Sequence, residues 1–252
     1  MQGMVPLCGF GGVPYSAVRK AAPRNLLDNS DFTNLVAQAD IGGNHGTIPY
    51  AADRWILDSG TVSYEAGVGL TLNGTIRQKL EFPPTGETSA FVGMASGEAS
   101  ISFADGEVTI ASSGGVLKWA ALYSGVYTAA TMPEYQPKGY GAELAECQRY
   151  FWRYWNYWKL ADTGIVRSDG SPHWTINHPV SMRVAPTITI PDISLFVCQY
   201  GANSYSLKTM RGESSCDVQS EIIATIDATL SKGEAIGLIV KSAGIIDFSA
   251  DL

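Results

Sequence analysis

Charged residues are scarce in this sequence. Only 16 % of the 252 residues are Asp, Glu, Lys or Arg, and the formal net charge is −7. No run of Lys and Arg occurs, which argues against a general nucleic-acid surface, because such surfaces use clustered cations to replace counterions. No apolar stretch reaches the roughly 20 residues that cross a bilayer. We therefore expect neither nucleic-acid binding nor membrane insertion.

Motifs that specify catalysis are also missing. The chain has three histidines, and no H-E-x-x-H, G-x-S-x-G or P-loop pattern is present. Carboxylates are common enough to supply a glycosidase pair, but the sequence does not show which two would face each other across a cleft. We assign no catalytic residue, metal site or cofactor. A polysaccharide-degrading enzyme stays open as an alternative.

The cysteine spacing indicates free thiols. The four cysteines are Cys8, Cys147, Cys198 and Cys216. None forms a C-x-x-C pair, so a zinc knuckle or redox motif is not indicated. Free thiols suit a chain made in a reducing cytosol. A bridge between Cys198 and Cys216 is the alternative.

Short β-prone segments separated by Gly and Pro turns fill most of the chain, which predicts an all-β fold. We expect two β-sandwich, jelly-roll-like domains, at residues 25–130 and 150–252. Residues 131–149 are predicted to be a linker with a short helix over Gly141–Arg149, whose residues favour helix. Residues 1–24 are interpreted as an N-terminal attachment segment. Within the first domain, Asn73-Gly74 predicts a hairpin turn.

An aromatic run follows the predicted helix. Seven of the nine residues from Tyr150 to Trp158 are aromatic, and as a strand they would alternate between two faces. Both faces then need a cover, because either one alone would expose a large apolar patch. Core packing, a subunit interface and a sugar-stacking platform all remain open. The candidate subunit or domain interface residues are Tyr150, Phe151, Trp152, Tyr154, Trp155, Tyr157 and Trp158.

Four segments carry a resemblance to a known class of proteins. They are Asn25–Phe32 (NLLDNSDF), Asp53-Arg54-Trp55, Lys138–Phe151 (KGYGAELAECQRYF) and Val180–Thr187 (VSMRVAPT). In this order and spacing they resemble a series found in bacteriophage and prophage tail fibres and receptor-binding proteins of siphovirus-like particles. The similarity covers nearly two thirds of the chain. One departure is Asn34–Asp40, which replaces the "NQRG"-type segment that family members often show.

The resemblance implies a function as well as a fold. Such proteins are all-β, often trimeric, and carry jelly-roll or carbohydrate-binding-module-like domains, the latter expected here at residues 25–130. It implies a non-enzymatic homotrimer of the virion, made in the bacterial cytoplasm and released by lysis. Residues 1–24 would contact other tail proteins, and the trimer would bind a bacterial cell-surface glycan. A purely architectural tail, collar or baseplate component is the alternative.

Aromatic and polar side chains that could contact a sugar are few. Candidates in the second domain are His173, Trp174, Tyr200 and Tyr205. In the first domain, Asn44 and His45 lie in a Gly-rich loop, where an amide and an imidazole could contact a sugar. For Asp53-Arg54-Trp55, a strand would place Trp55 in the core and let Asp53 bond a nearby loop.

Overall fold

A computed structural model describes residues 23–45, 48–156, 160–241 and 244–251. Within these ranges sixteen β-strands and a single α-helix form, so the predicted all-β class is confirmed. Most of the interpreted attachment segment, residues 1–22, lies outside the described residues. No helix in the described ranges is long and apolar enough to cross a membrane.

The first seven strands form one antiparallel sheet in the order β1-β2-β3-β4-β7-β5, with β6 also paired to β7. Their bounds are β1 Asn44–His45, β2 Ile48–Ala52, β3 Trp55–Glu65, β4 Gly69–Lys79, β5 Thr88–Ser96, β6 Ala99–Ala104 and β7 Glu107–Ser124. Apolar residues alternate along β4, so one face is buried. Its core includes Leu70, Leu72 and Ile76 together with Leu27 and Phe32 from the irregular segment before β1. That segment therefore covers the sheet.

The prediction of a hairpin turn at Asn73-Gly74 is wrong. Strand β4 continues through both residues, and Gly74 pairs with Gly60 of β3. At Gly74 the φ angle is +143°, and an added Cβ would lie 2.0 Å from the backbone oxygen of Ser59. Glycine is thus needed here for the close approach of two strands, a role it often has inside a sheet.

Gly74→Ala should destabilise the fold by about 2 kcal/mol, because alanine would clash with the neighbouring backbone in a disfavoured conformation. Urea unfolding of both chains would measure the difference. Gly86→Ala is the matched control, since an added Cβ there meets no neighbouring atom. Equal midpoints for Gly74→Ala and wild type would show that β3 and β4 do not need this close approach.

Helix α1 spans Tyr140–Gln148, which confirms the predicted short helix within one residue. Glu143 and Cys147 are its buried residues, and they share a face because four residues make about one turn. The segment before the helix packs on the first sheet, where the ring of Tyr135 stacks on Trp119 at 4.9 Å between centroids.

The remaining strands form two further sheets. Their bounds are β8 Phe151–Asn156, β9 Leu160–Val166, β10 Pro172–Asn177, β11 Thr187–Thr189, β12 Phe196–Tyr200, β13 Asn203–Ser215, β14 Gln219–Ile226, β15 Ala235–Val240 and β16 Gly244–Ser249. Six of them close a barrel in the order β10-β14-β13-β12-β15-β9, and β11-β16-β8 form a three-stranded sheet. This arrangement differs from the two-sheet jelly roll expected for residues 150–252.

Strand β9 closes the barrel because it pairs with β10 on one side and β15 on the other. The contact with β10 is close at Gly164, where an added Cβ would lie 1.9 Å from the His173 backbone oxygen. A shared apolar core joins the barrel to the three-stranded sheet, with Trp174, Phe196 and Phe248 among its largest buried side chains.

The described cysteines are free. Cys147 and Cys198 are buried and Cys216 is exposed, which confirms the free thiols at these positions and contradicts the alternative bridge between Cys198 and Cys216. Burial raises the pKa of the Cys198 thiol to about 11, so this thiol stays protonated and unreactive near neutral pH. Cys8 lies outside the described residues.

Candidate functional site

The segments that carry the sequence resemblance meet where the first sheet contacts α1 and β8. We call this cluster the motif junction and define it by Asp28, Asn29, Asp53, Arg54, Glu143 and Tyr150. Four of these, Asn29, Asp53, Arg54 and Glu143, are buried polar or charged residues. Buried polar groups cost free energy unless they are hydrogen-bonded, so their partners show what the cluster does.

Asn29 organises the loop that covers the first sheet. Its φ of +49° lies in the left-handed region, which Asn tolerates better than most residues. The side-chain nitrogen donates to the backbone oxygens of Val36 and Asp53, each at 2.8 Å. The side-chain oxygen accepts from Val36 N at 2.8 Å, and Trp55 Nε1 donates to the Asn29 carbonyl at 2.9 Å.

Glu143 connects this loop to helix α1. Its Oε2 accepts a hydrogen bond from the Asn29 backbone N–H at 2.7 Å, and Lys138 Nζ lies 3.8 Å from the same oxygen. The second carboxylate oxygen, Oε1, is buried and has no hydrogen-bond partner among the described residues. Burial raises the pKa of Glu143 even though the Asn29 N–H and Lys138 favour the charged form.

Arg54 occupies a turn between β2 and β3, with a φ of +71°. The predicted continuous strand through Asp53-Arg54-Trp55 is therefore interrupted. The Arg54 guanidinium lies 3.5 Å from the ring centroid of Tyr150, a cation–π geometry. Its Nε donates to Asp28 Oδ2 at 3.3 Å and its Nη2 to the Lys79 carbonyl at 2.8 Å. Arg54 thus links the first sheet to the residue before β8.

The other two members of the Asp53-Arg54-Trp55 motif behave as expected. Trp55 is fully buried in the first core. Asp53 accepts hydrogen bonds from the backbone and side chain of Gln38, at 3.0 and 2.8 Å. Gln38 also donates to the Phe151 carbonyl at 2.6 Å. The side-chain amide of Gln38 therefore joins the irregular segment before β1 to the turn at Asp53 and to β8.

His45 lies beside the junction, between the two halves of the chain. Its ring stacks on Tyr50 at 3.9 Å and on Phe151 at 3.6 Å. Its Nε2 lies 3.3 Å from Asp53 and its Nδ1 lies 3.5 Å from Asp251. Burial alone would lower the pKa of His45, but the two carboxylates outweigh that effect and raise it.

The burial of His45 corrects the expectation that it contacts a sugar. Only 3 % of the residue is exposed, because the rings of Tyr50 and Phe151 cover both of its faces. Asn44 is exposed, and its carbonyl accepts from Arg153 Nη2 at 3.3 Å. The two residues therefore do not form one sugar-contacting surface.

The aromatic strand β8 has different neighbours on its two faces. Phe151 stacks on His45 on the side of the first sheet. Trp152 stacks on Phe248 at 4.9 Å, and Tyr154 packs with Trp152 against the second core. Tyr157 and Trp158 lie outside the described residues, as does the side chain of Trp155. In the described part of the run, Phe151 is buried within the same chain, whereas Trp152 and Tyr154 are half-buried.

The structure does not bring the four predicted sugar contacts of the second domain together. Trp174 is 1 % exposed inside the barrel core, so it offers no ring face to a ligand. His173 points to the opposite face of β10, where it contacts Ser171 and Glu221. Tyr200 donates to Glu234, and both Tyr200 and Tyr205 pack against the barrel core.

A fourth segment of the resemblance also reaches this region. Arg183 N donates to the Arg149 carbonyl at 2.7 Å, and its Nε donates to the Ala250 carbonyl at 3.1 Å. Ala250 N in turn donates to the Tyr150 carbonyl at 2.6 Å. The end of the chain is thereby held against the start of β8.

Sequence reasoning singled out only part of this network. Asn29 and Glu143 lie within the resembling segments, so the resemblance marks both positions without showing their contacts. Gln38 lies in the segment that departs from the family pattern, and only the tertiary contacts reveal its role. Across the described ranges, no group of three or more His, Cys, Asp and Glu side chains could hold a metal ion.

Comparison with known proteins adds no relative: no family model, curated protein or solved structure matches this chain.

Proposed function

We propose that this chain is a non-enzymatic structural protein of a bacteriophage tail fibre or spike, and that it recognises carbohydrate on the bacterial surface. The observation that carries the proposal is the convergence of the resembling segments. Residues from Asn25–Phe32, Asp53–Trp55 and Lys138–Phe151 are far apart in sequence and meet in the motif junction. The segments that carry the resemblance thus contain residues that contact one another in the folded chain.

The junction suits a protein that must keep two β units in a fixed relation. Hydrogen bonds made by Asn29, Glu143 and Arg54 depend on direction, and networks of this kind specify one arrangement more strictly than apolar packing alone. A tail fibre transmits load between the virion and the cell, so a defined angle between its parts is useful. Within the proposal, residues 1–24 attach the chain to other tail proteins.

The proposed assembly is a homotrimer of two-domain chains. Three copies raise the effective concentration of each binding site at the cell surface, so individually weak sites suffice for attachment. Light scattering of the purified chain should give three times the chain mass of 26.9 kDa. A folded monomer would contradict the trimeric assembly.

Carbohydrate recognition is tested by binding of the labelled purified chain to a panel of bacterial strains. We expect binding to a subset of strains, lost after periodate oxidation because that reagent cleaves the vicinal diols of sugars. Binding that resists periodate would contradict a carbohydrate receptor. Binding to no strain would favour the second candidate, an architectural tail, collar or baseplate component.

One observation favours that architectural alternative. Two of the residues expected to contact sugar, His45 and Trp174, are buried and act in packing. These two side chains are therefore not available to a carbohydrate ligand.

A further inference from the structure

A cleft lined by both charged and apolar side chains opens on the outer side of the motif junction. Its volume is about 310 Å³, at the lower end of the range of about 300–1,000 Å³ that is usual for small-molecule sites. Arg54 and Tyr150 of the junction line it, together with Glu81, Phe82, Arg149 and Glu146. The cleft lies between the end of the first sheet and the end of α1.

Phe82 supplies an open aromatic ring at this cleft. It is 80 % exposed, the largest value among the exposed large hydrophobic residues of the described ranges. A single exposed apolar residue needs no explanation by itself. Here, however, the ring stands at a concave surface where apolar side chains are combined with a few charged groups, and small-ligand sites likewise combine apolar walls with a few placed polar groups.

The polar groups of the cleft occur as pairs of a cation and a carboxylate. Arg149 Nη2 lies 3.3 Å from Glu81 Oε2, and Tyr150 donates to the same oxygen at 2.7 Å. Arg24 Nη2 lies 3.1 Å from Glu146 Oε1. The Arg149 side chain is 43 % exposed and that of Glu81 is 17 % exposed, so both still face solvent.

The charge balance indicates the class of ligand. Three guanidinium groups, of Arg24, Arg54 and Arg149, face three carboxylates, of Asp28, Glu81 and Glu146. An anion would meet the carboxylates and a cation would meet the guanidinium groups. A hydroxyl group both donates and accepts hydrogen bonds, so neighbouring hydroxyls match a paired donor and acceptor such as Arg149 and Glu81.

We propose that this cleft binds a neutral saccharide, with a sugar ring stacked on Phe82 and its hydroxyls bonded to Arg149 and Glu81. The inference rests on the proposed carbohydrate recognition and names its site. The six residues that the sequence suggested as sugar contacts are not among those that line this cleft. Arg54 and Tyr150 line this cleft. The ligand would therefore contact the two residues whose cation–π contact links the first sheet to the residue before β8.

The test is binding of the full-length chain to an immobilised array of neutral and anionic bacterial capsular and O-antigen polysaccharides. We expect binding to neutral members and at least about tenfold weaker binding by Phe82→Ala, consistent with the loss of an aromatic contact. Phe82→Tyr keeps the ring and should bind like wild type. Tyr140→Ala removes an aromatic that is 48 % exposed and outside the cleft, and it should also bind like wild type.

The outcomes separate this inference from the proposed function. Wild-type binding that Phe82→Ala leaves unchanged would overturn the cleft as the site while the proposed function stands. If the wild type binds only anionic polysaccharides, the proposal that the ligand is a neutral saccharide is overturned. Absence of binding by the wild type itself to any polysaccharide would overturn the proposed recognition and, with it, this site. Circular dichroism of each variant checks folding, which a change at the exposed Phe82 should not disturb.

Discussion

Replacing Asn29 with alanine should destabilise the protein by about 4 kcal/mol, because each buried backbone group left without a partner costs about 1–3 kcal/mol. Two such groups lose their partner, the carbonyl of Asp53 and the N–H of Val36, whereas the Val36 carbonyl keeps the hydrogen bond from Asp53 N at 3.2 Å. Alanine also fits the left-handed backbone conformation at this position less well than asparagine. Urea unfolding followed by tryptophan fluorescence would measure the change, since Trp55 contacts this residue.

Asn34→Ala is the matched control for Asn29→Ala. Asn34 belongs to the same irregular segment but is exposed, so its substitution should change stability by no more than about 0.5 kcal/mol. Similar effects of the two substitutions would show that the Asn29 side chain does not organise the segment. A large effect at Asn29 alone would support the motif junction as the main link between the covering loop and α1.

His45→Gln should cost about 3 kcal/mol at about pH 6, because it leaves two buried carboxylates without their cation. The carboxylates are those of Asp53 and Asp251. The substitution also removes the ring that stacks between Tyr50 and Phe151. We expect the contact between β1 and β8 to loosen first, since the stacking of His45 on Phe151 is lost and the hydrogen bond from Arg153 to the Asn44 carbonyl is left to hold these strands together.

The effect of His45 should depend on pH in a defined direction. Its pKa is raised from 6.5 in the folded chain, so the folded state binds the proton more tightly than the unfolded state. The stabilisation is therefore fully present below 6.5 and is lost as pH rises through the higher folded value. As pH rises from 6.5 through the raised pKa of His45, the free energy of unfolding of wild type should therefore fall towards that of His45→Gln.

Unfolding midpoints at a series of pH values would measure this difference. His178→Gln controls for the loss of a buried histidine outside the junction, because its ring nitrogens lie against the Asp217 carbonyl and the Ser220 hydroxyl instead of a carboxylate. That variant should keep the wild-type fall in stability with rising pH. A difference between wild type and His45→Gln that stays constant with pH would contradict a protonated His45 between the two carboxylates.

The two predictions address different parts of one connection. Asn29 holds the covering loop to α1 through Glu143, whereas His45 holds the first sheet to β8 and to the end of the chain. Since the sites share Asp53 as a neighbour, their effects should not be additive. The double variant would therefore show how strongly the two contacts are coupled.

Local patterns determined the fold class and several elements of this protein. Frequent Gly and Pro turns between short β-prone segments indicate strands, and the chain is all-β. Ala142–Glu146 favour helix, and α1 forms there. The aromatic run continues as strand β8 as far as Asn156. These features follow from the preferences of neighbouring residues, which a sequence displays directly.

Long-range contacts decided the rest, because they depend on which segments meet. Asn73-Gly74 has the composition of a hairpin turn, but pairing with Gly60 and with β7 keeps it within a strand. Trp174 and His45 are residue types that often contact sugars. In the folded chain, however, Trp174 is buried in the barrel core and His45 is buried between stacked aromatic rings. Neighbouring residues thus specify the strands and the helix, and the resembling segments are visible in the sequence. That these segments meet in one buried junction becomes visible only in the folded chain, since hydrogen bonds between residues more than a hundred positions apart leave no local pattern.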